Sequence, residues 1–449
     1  MQTAENKGRC VLSSVLTRCL LLMGPQCDEI HPQCGNCKKH GVVCDFEDPN
    51  ALGSPLTQTT PTLSSESPAI KPLSVSSPVY TGLSYQPAED HAVLAESSTS
   101  SRLLELRLLH NYTLVTSKTL PAVYNPDLEE AWQVSVPSMA FEFHFLMDAL
   151  LAVSALHLRC SHPNDQSLVR ASHGYWASAI SQYSSLLRDS VSASNADALF
   201  ATSALITFQA TASRKFPNED GEDEDGLGQY KPPVQLFHAF QGVKFLVLQS
   251  WKWLRNSERV RPIINSQPAL HLVMQPNKPM FFDSLLEGMD QELAGMDEVR
   301  CAETRQAFQH AVAYLNWSHQ KPDRARILGF AATVSRKFVE LVNERDPRAL
   351  VITAHFFAMI KVVDNVWWLR GLPEREVDGI MTVIPQEWWG KMTWATKVIQ
   401  HEGLVDEETW GSNGYSEGSP KPDEDFNEDV GSHIDIVAQM SPTMAVGGG

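Results

Sequence analysis

Apolar residues recur at intervals of three and four positions through most of the chain after residue 100, which is the spacing that places side chains on one face of an α-helix. Leu103, Leu106, Leu109 and Thr113 make one such stripe. Prolines separate the segments that have this spacing. The segments predict helices at about 140–159, 167–189, 195–214, 234–256, 282–297, 300–319, 323–344, 347–370 and 385–400. No stretch alternates between apolar and polar residues for long enough to build a sheet. The sequence therefore predicts one all-α domain over 101–402.

Two stretches lack the apolar content of a folded core. Sixteen of the thirty residues from Ala51 to Tyr80 are Ser, Thr or Pro, and such a sequence buries too little apolar surface to offset the entropy lost on ordering. We therefore expect a disordered linker over 46–100 and a disordered acidic tail over 403–449. In the tail, acids alternate with apolar residues such as Phe426 and Ile434, which suits either an activation segment or an inert solubilising tail.

The net charge of −17 over 449 residues at first argues against a nucleic-acid partner. The acidity is concentrated, however. Six acids lie between Glu219 and Asp225, and His401–Gly449 has eleven acids and one lysine, so these two segments account for all but one of the net negative charges. The rest of the chain is almost neutral, and its folded surface would neither repel DNA nor attract it strongly.

Four cysteines near the amino terminus have the spacing C-x6-C-x2-C-x6-C, at Cys27, Cys34, Cys37 and Cys44. Thiolates clustered this densely in a chain of this kind usually hold a metal, and Zn²⁺ prefers four such ligands. The sequence predicts a zinc site over 27–45. The run leaves two alternatives open: a lone structural zinc site unrelated to DNA, and a site in which His31 or His40 replaces a thiolate.

This run, with the Pro32 loop, Gly35-Asn36 and Lys38-Lys39, resembles the second half of the six-cysteine binuclear zinc cluster of fungal transcription factors. The resemblance implies zinc as cofactor, DNA and the transcription machinery as partners, a nuclear location, and Lys38 and Lys39 near DNA phosphates.

Residues 1–26 depart from that pattern. Cys10 and Cys19 are too far apart for the family's C-x2-C pair, and Leu20–Gln26 carries no positive charge where the family is rich in Arg and Lys. Because phosphate neutralisation supplies much of the affinity for DNA, this departure raises a second hypothesis. The chain would then be a DNA-binding-deficient regulator or decoy that retains the helical domain.

The helical region carries a second resemblance. Residues 103–158, the run Ala349–Gly371 and Trp388-Trp389-Gly390 are similar to the effector domain of fungal sterol uptake control proteins. The resemblance implies a helical domain that binds a sterol or another apolar ligand and controls sterol-related or specialised-metabolite genes. The ligand-bound protein would be cytoplasmic.

An apolar cavity for such a ligand requires aromatic or aliphatic walls and one or two polar groups. Candidates lie on the Trp-rich helices near the carboxyl end of the domain: His355, Phe356, Met359, Val363, Trp367 and Trp368. The alternative interpretation is that these residues form the core, since aromatic and Met stripes at helical spacing usually do.

Catalytic motifs are absent from the sequence. It contains no glycine-rich phosphate loop, no G-x-S-x-G and no H-E-x-x-H. No segment has the length and apolar character of a membrane span. We therefore expect a regulator rather than an enzyme, and an all-α lipid-binding protein or enzyme is the alternative from another class.

Overall fold

The computed structural model describes residues 101–411 except 123, 190, 217–229, 269, 271 and 275–277. The chain divides into two compact units. Of the first, Leu21–Leu104, only the helical residues 101–104 are described. The second comprises Met1–Leu20 and Glu105–Gly449, and its described part is the helical domain treated below. The predicted zinc module and linker, and all but the first residues of the predicted tail, lie outside the described residues.

Helices make up all the regular secondary structure of the described residues, so the predicted all-α class is confirmed. The α-helices are α1 (105–111), α2 (Pro126–Glu130), α3 (Val136–Ala140), α4 (His144–Ser161), α5 (Gln166–Asp189), α6 (Ala196–Ser213), α7 (Val234–Leu254), α8 (Arg261–Asn265), α9 (Met289–Glu292), α10 (Glu298–Gln320), α11 (Arg324–Thr333), α12 (Arg336–Asn343), α13 (Pro347–Ile360), α14 (Leu372–Val383), α15 (Thr393–Gln400) and α16 (Glu407–Trp410).

Shorter helical segments of other types join them. Two are π-helical, Tyr112–Thr116 and Ala131–Ser135, and four are 3-10 helices, Ser117–Thr119, Asp283–Leu286, Lys361–Val363 and Gln386–Met392. Within the described part of the chain, no helix is long and apolar enough to cross a membrane.

One predicted helix is divided where a polar side chain caps a new helix. The span predicted over 323–344 is two helices, because the Ser335 side chain accepts the amide of Phe338 and starts α12 there. The helix predicted over 347–370 ends as an α-helix at Ile360. Asp297, Asp323 and Asp346 cap α10, α11 and α13 in the same manner.

Helix α14 is absent from the sequence prediction. It begins after Gly371, which has a positive φ of 78°, and Pro373 lies in its first turn. Glycine tolerates this left-handed conformation and proline suits the first turn of a helix. Taken one by one, Gly371 and Pro373 indicate a loop in the sequence. Together they mark the start of a helix.

The centre of the domain is α13. Every residue from Arg348 to Ile360 is buried, because α10, α11, α12, α14 and α15 all pack around this helix. A helix that is apolar on all sides belongs in a core. On the other side of the domain α4 packs against α5 and α6, and α6 packs against α7.

Candidate functional site

The predicted zinc ligands Cys27, Cys34, Cys37 and Cys44 lie outside the described residues, as do Lys38 and Lys39. Among the described residues, no group of His, Cys, Asp and Glu side chains could hold a metal ion. Cys160 and Cys301 are free, partly buried thiols. The donor set itself still fits zinc, because four closely spaced thiolates are the ligands of structural zinc sites.

The six predicted pocket residues fall into two groups. His355, Phe356 and Met359 are buried on α13, whereas Trp367 and Trp368 lie in the turns between α13 and α14. Val363, at the end of a 3-10 helix, is partly buried between them along the chain. Among the described residues, no hydrogen bond or ring contact joins the first group to the two tryptophans. Whether any of the six contacts a ligand stays a prediction.

Phe356 packs within an aromatic part of the core. Its ring stacks on Phe330 at a centroid distance of 4.7 Å and lies 6.2 Å from the ring of Phe237. Met359 is equally buried. These contacts are what a core residue makes, and they join α13 to α7 and α11.

His355 belongs to a group of rings in stacked and edge-to-face contact that we call the carboxyl-terminal ring cluster, formed by Phe281, Phe282, His319, His355, Trp394 and Trp410. The His355 ring stacks on Trp394 with centroids 5.6 Å apart, and its Nδ1 donates to the Val351 carbonyl at 2.8 Å. Burial lowers the pKa of His355 to about 4. The imidazole is therefore neutral near pH 7.

His319 connects the same cluster to the end of the described chain. Its ring stacks on Trp410 at 4.8 Å, the indole Nε1 of Trp410 donates to the His319 carbonyl at 3.2 Å, and Trp394 Nε1 donates to the Trp410 carbonyl at 2.9 Å. Burial lowers the pKa of His319 to about 4. These contacts hold α16 against α10 and α15.

Trp367 and Trp368 hold the amino-terminal part of the domain. The Trp367 indole donates to Thr119 Oγ1 at 2.9 Å, and the Trp368 indole donates to the Thr119 carbonyl at 3.1 Å. The Trp367 ring also stacks on His157 at 4.3 Å, and Lys215 Nζ donates to the Trp367 carbonyl. Both tryptophans therefore have structural partners that account for their positions.

One buried carboxylate joins three distant parts of the chain. Glu376, on α14, accepts hydrogen bonds from Arg214 Nε at 2.9 Å and Nη2 at 2.8 Å and from the Tyr230 hydroxyl at 2.7 Å. A Cβ at Gly379, one turn further along α14, would overlap the Tyr230 ring. In the sequence Arg214 precedes and Tyr230 follows the acidic segment 217–229, so the Glu376 carboxylate joins the parts of the chain on either side of that segment.

Two polar residues inside the domain were missed in the sequence. Lys244 lies in the middle of α7, and His310 lies on α10, where it is 3% exposed. The Lys244 charge contributes to lowering the pKa of His310. A lysine between Val243 and Phe245 in a mainly apolar helix is a signal that the sequence does contain.

No family model matches the chain. The chain is, however, 41% identical to a Zn(2)-C6 fungal-type transcription factor of Gibberella zeae, over 92% of this chain and 91% of that protein. This likeness covers nearly the whole of both proteins, so the chain belongs to the Zn(2)-C6 fungal-type transcription factors. The predicted resemblance to binuclear zinc cluster regulators is thereby confirmed.

More distant relatives are consistent with this family. The Zn(2)-C6 fungal-type transcription factor afumD of Aspergillus fumigatus is 25% identical over 74% of this chain and 81% of its own length. Sterol uptake control protein 2 of Candida albicans is 24% identical over 61% of this chain but only 39% of that protein. The chain is thus a zinc-cluster transcription regulator similar to the sterol uptake control proteins.

Proposed function

We propose that this chain controls a set of metabolic genes, either sterol-related or belonging to a specialised-metabolite cluster. It binds DNA through its cysteine module and is regulated by its helical domain. The observation that carries the proposal is the 41% identity, over 92% of this chain, to a fungal transcription factor. A nuclear location and the absence of catalysis follow from this role.

The proposed domain organisation follows the sequence analysis: an atypical amino terminus over 1–26, the zinc module over 27–45, a linker over 46–100, the effector domain over 101–402 and an acidic tail over 403–449. In the module, Cys27, Cys34, Cys37 and Cys44 hold zinc as thiolates. Lys38 and Lys39, which follow Cys37 in the sequence, neutralise DNA phosphates.

The effector domain takes an apolar ligand. Support comes from the likeness to sterol uptake control protein 2 and from the density of aromatic side chains around α13. His355, Phe356, Met359, Val363, Trp367 and Trp368 remain the candidates for ligand contact that the sequence provides.

A specific observation favours a second candidate function. Leu20–Gln26 has no basic residue where DNA contacts are expected, so the chain would be a regulator that acts without binding DNA. Such a protein would keep its ligand or partner while lacking the charge that drives association with phosphates.

Zinc content and DNA binding of the full-length protein separate the two functions. The purified chain would be analysed for zinc and used to select duplexes from a random-sequence library over a series of salt concentrations. We expect bound zinc and selected DNA whose affinity falls steeply with salt. Two zinc ions per chain would mean that Cys10 or Cys19 completes the cluster.

The variant Cys37→Ser should lose zinc and DNA binding together, whereas the control Cys160→Ser changes a thiol on α4 and should lose neither. Zinc without selected DNA would support the second function. A chain with neither zinc nor DNA binding would contradict the proposed role of the cysteine module.

A further inference from the structure

The carboxyl-terminal half of α7 has one buried side and one partly exposed side. Leu246, Ser250 and Leu254 are buried, and the helix packs against α6, α11 and α12. With 3.6 residues per turn, the opposite side carries five residues that we call the outer face of α7: Phe245, Leu248, Trp251, Lys252 and Arg255. The three apolar side chains are partly exposed and the two cations are exposed.

The cations of the outer face are not paired with acids. Among the described residues, no hydrogen bond or ion pair joins the side chain of Lys252 or Arg255 to a carboxylate. The surrounding segment 244–261 contains five cations and one acid. Other exposed cations of the domain are paired, as Arg305 is with Asp290. The outer face therefore keeps a positive charge that the domain itself does not compensate.

This combination of side chains selects the chemistry of an occupant. A purely acidic segment would neutralise Lys252 and Arg255 but would leave the ring of Trp251 in water. A purely apolar segment would cover the ring but would remove water from the cations without compensating their charge. A segment that mixes acids with apolar residues satisfies both requirements.

The acidic tail of the same chain contains such a segment. Residues 423–437 include six acids and no lysine or arginine. The apolar residues among them are Phe426, Val430, Ile434, Ile436 and Val437. The other acidic run of the chain, 219–225, contains no apolar residue. Of these two acidic runs, the tail alone matches both the charge and the apolar character of the outer face.

The tail is also long enough to reach the outer face. The segment 423–437 begins a dozen positions after Gly411, the last described residue. A dozen extended residues span about 40 Å, whereas a compact domain of about 300 residues has a radius of gyration of about 19 Å. A tether of this kind gives an effective concentration near 1 mM. A contact with a Kd of about 0.1 mM would therefore keep the tail bound most of the time.

We propose that the tail segment 423–437 binds the outer face of α7 within the same chain. The inference goes beyond the proposed function and holds whether or not the chain binds DNA or an apolar ligand. It also decides between the two interpretations of the tail, because a segment with a binding site in its own domain is not an inert solubilising tail. While bound, its apolar residues are withheld from other proteins.

Zero-length carbodiimide cross-linking of the full-length protein tests the contact, since it joins a lysine amine to a carboxylate that touches it. An equal mixture of ¹⁵N-labelled and unlabelled copies separates links within a chain from links between chains. We expect Lys252 to be linked to acids of 423–437 within one chain. The yield should exceed that of links from Lys321 and Lys397 to the same acids by about fivefold.

Lys321 and Lys397 are stringent controls because both are exposed and lie near the point where the tail leaves the domain. Lys397 Nζ donates to the Glu408 carbonyl at 3.0 Å. Lys321 lies two positions after His319, which is bonded to Trp410. A tail that moves without a preferred site would reach these two lysines at least as often as Lys252.

Substitutions assign the links to the two surfaces. Phe426→Ser combined with Ile434→Ser changes the tail alone, and it should lower the yield of Lys252 links about fivefold and accelerate amide hydrogen exchange over 245–255. Arg255→Glu keeps the reporter lysine and should lower the yield similarly. Arg300→Glu is the matched control, because this arginine of α10 is 68% exposed, and it should leave the yield unchanged. An unaltered thermal midpoint shows that each variant folds.

Four results would each overturn the inference. The first is a yield of Lys252 links no higher than that of the control lysines, and the second is a yield that the tail substitutions do not change. The third is links only between chains or only to 219–225, which would give the outer face a different occupant. The fourth is weaker binding of selected DNA in Arg255→Glu with unchanged Lys252 links, which would make the outer face a phosphate contact. None of these results bears on zinc binding by the cysteine module.

Discussion

Replacing Glu376 by glutamine should destabilise the helical domain strongly while preserving the shape of the side chain. The carboxylate is 0% exposed and its partner Arg214 is 20% exposed. The introduced amide would still accept one hydrogen bond, which the Tyr230 hydroxyl can supply, but its NH₂ group would place hydrogens against the guanidinium. The variant therefore breaks the paired hydrogen bonds to Arg214 and leaves a cation with little access to water.

The expected magnitude follows from those exposures. Breaking a buried ion pair from one side costs about 3–5 kcal/mol, and the partial exposure of Arg214 allows some rehydration, so we expect a loss near 3 kcal/mol. For a domain of this size, such a loss lowers Tm by roughly 6 °C. Urea denaturation of the full-length protein, followed by circular dichroism at the helix band, measures the change.

A double-mutant cycle tests the mechanism. Arg214→Met combined with Glu376→Gln should cost about 2 kcal/mol less than the two single changes together, because each single variant already removes the shared contact. Glu340→Gln is the control, since its carboxylate pairs with Arg336 on the surface and is 46% exposed, and its loss should be about 0.5 kcal/mol or less. A loss below about 1 kcal/mol in Glu376→Gln, or no coupling in the cycle, would refute the reasoning.

Two further predictions concern the carboxyl-terminal ring cluster. The pKa of His319 is about 4 in the folded protein and about 6.5 in the unfolded chain. Below pH 6.5 the unfolded state therefore binds more protons than the folded state. The free energy of unfolding consequently falls as the pH is lowered from about 6.5 towards 4. At pH 5 this residue alone should lower the free energy of unfolding by about 2 kcal/mol relative to pH 7. The variant His319→Phe should remove that part of the pH dependence. An unchanged pH dependence of the free energy of unfolding would contradict the assignment. Trp410→Ala should remove the stack on His319 and accelerate amide hydrogen exchange over 407–411, whereas Trp389→Ala, at a tryptophan that is 49% exposed, should leave that exchange as it is.

The class of fold is visible in the sequence because apolar residues recur at intervals of three and four positions through most of the chain after residue 100. The predicted spans 167–189, 195–214 and 234–256 agree with α5, α6 and α7 to within about two residues. Hydrophobic periodicity predicts α13 less well. Arg348–Ile360 is buried on every side, so the sequence does not distinguish one face of this helix from another. Its length depends instead on where the chain turns, and the turn after Ile360 has no proline or glycine to announce it.

Contacts between distant residues explain why the site was less predictable. Arg214, Tyr230 and Glu376 meet although Arg214 and Glu376 are 162 positions apart, and each looks like an ordinary surface residue in the sequence. The ring cluster around His319 likewise depends on Trp410, which lies in the segment that the sequence predicts to be a disordered tail. Hydrophobic spacing reports which face of a helix is buried, but not which helices share that face.

The structure also changes which residues can reveal a ligand. Trp367 and Trp368 both donate to Thr119, and Phe356 stacks on Phe330 inside the core. Substituting any of these residues would weaken the fold, and a loss of ligand binding would then follow whether or not the side chain touches the ligand.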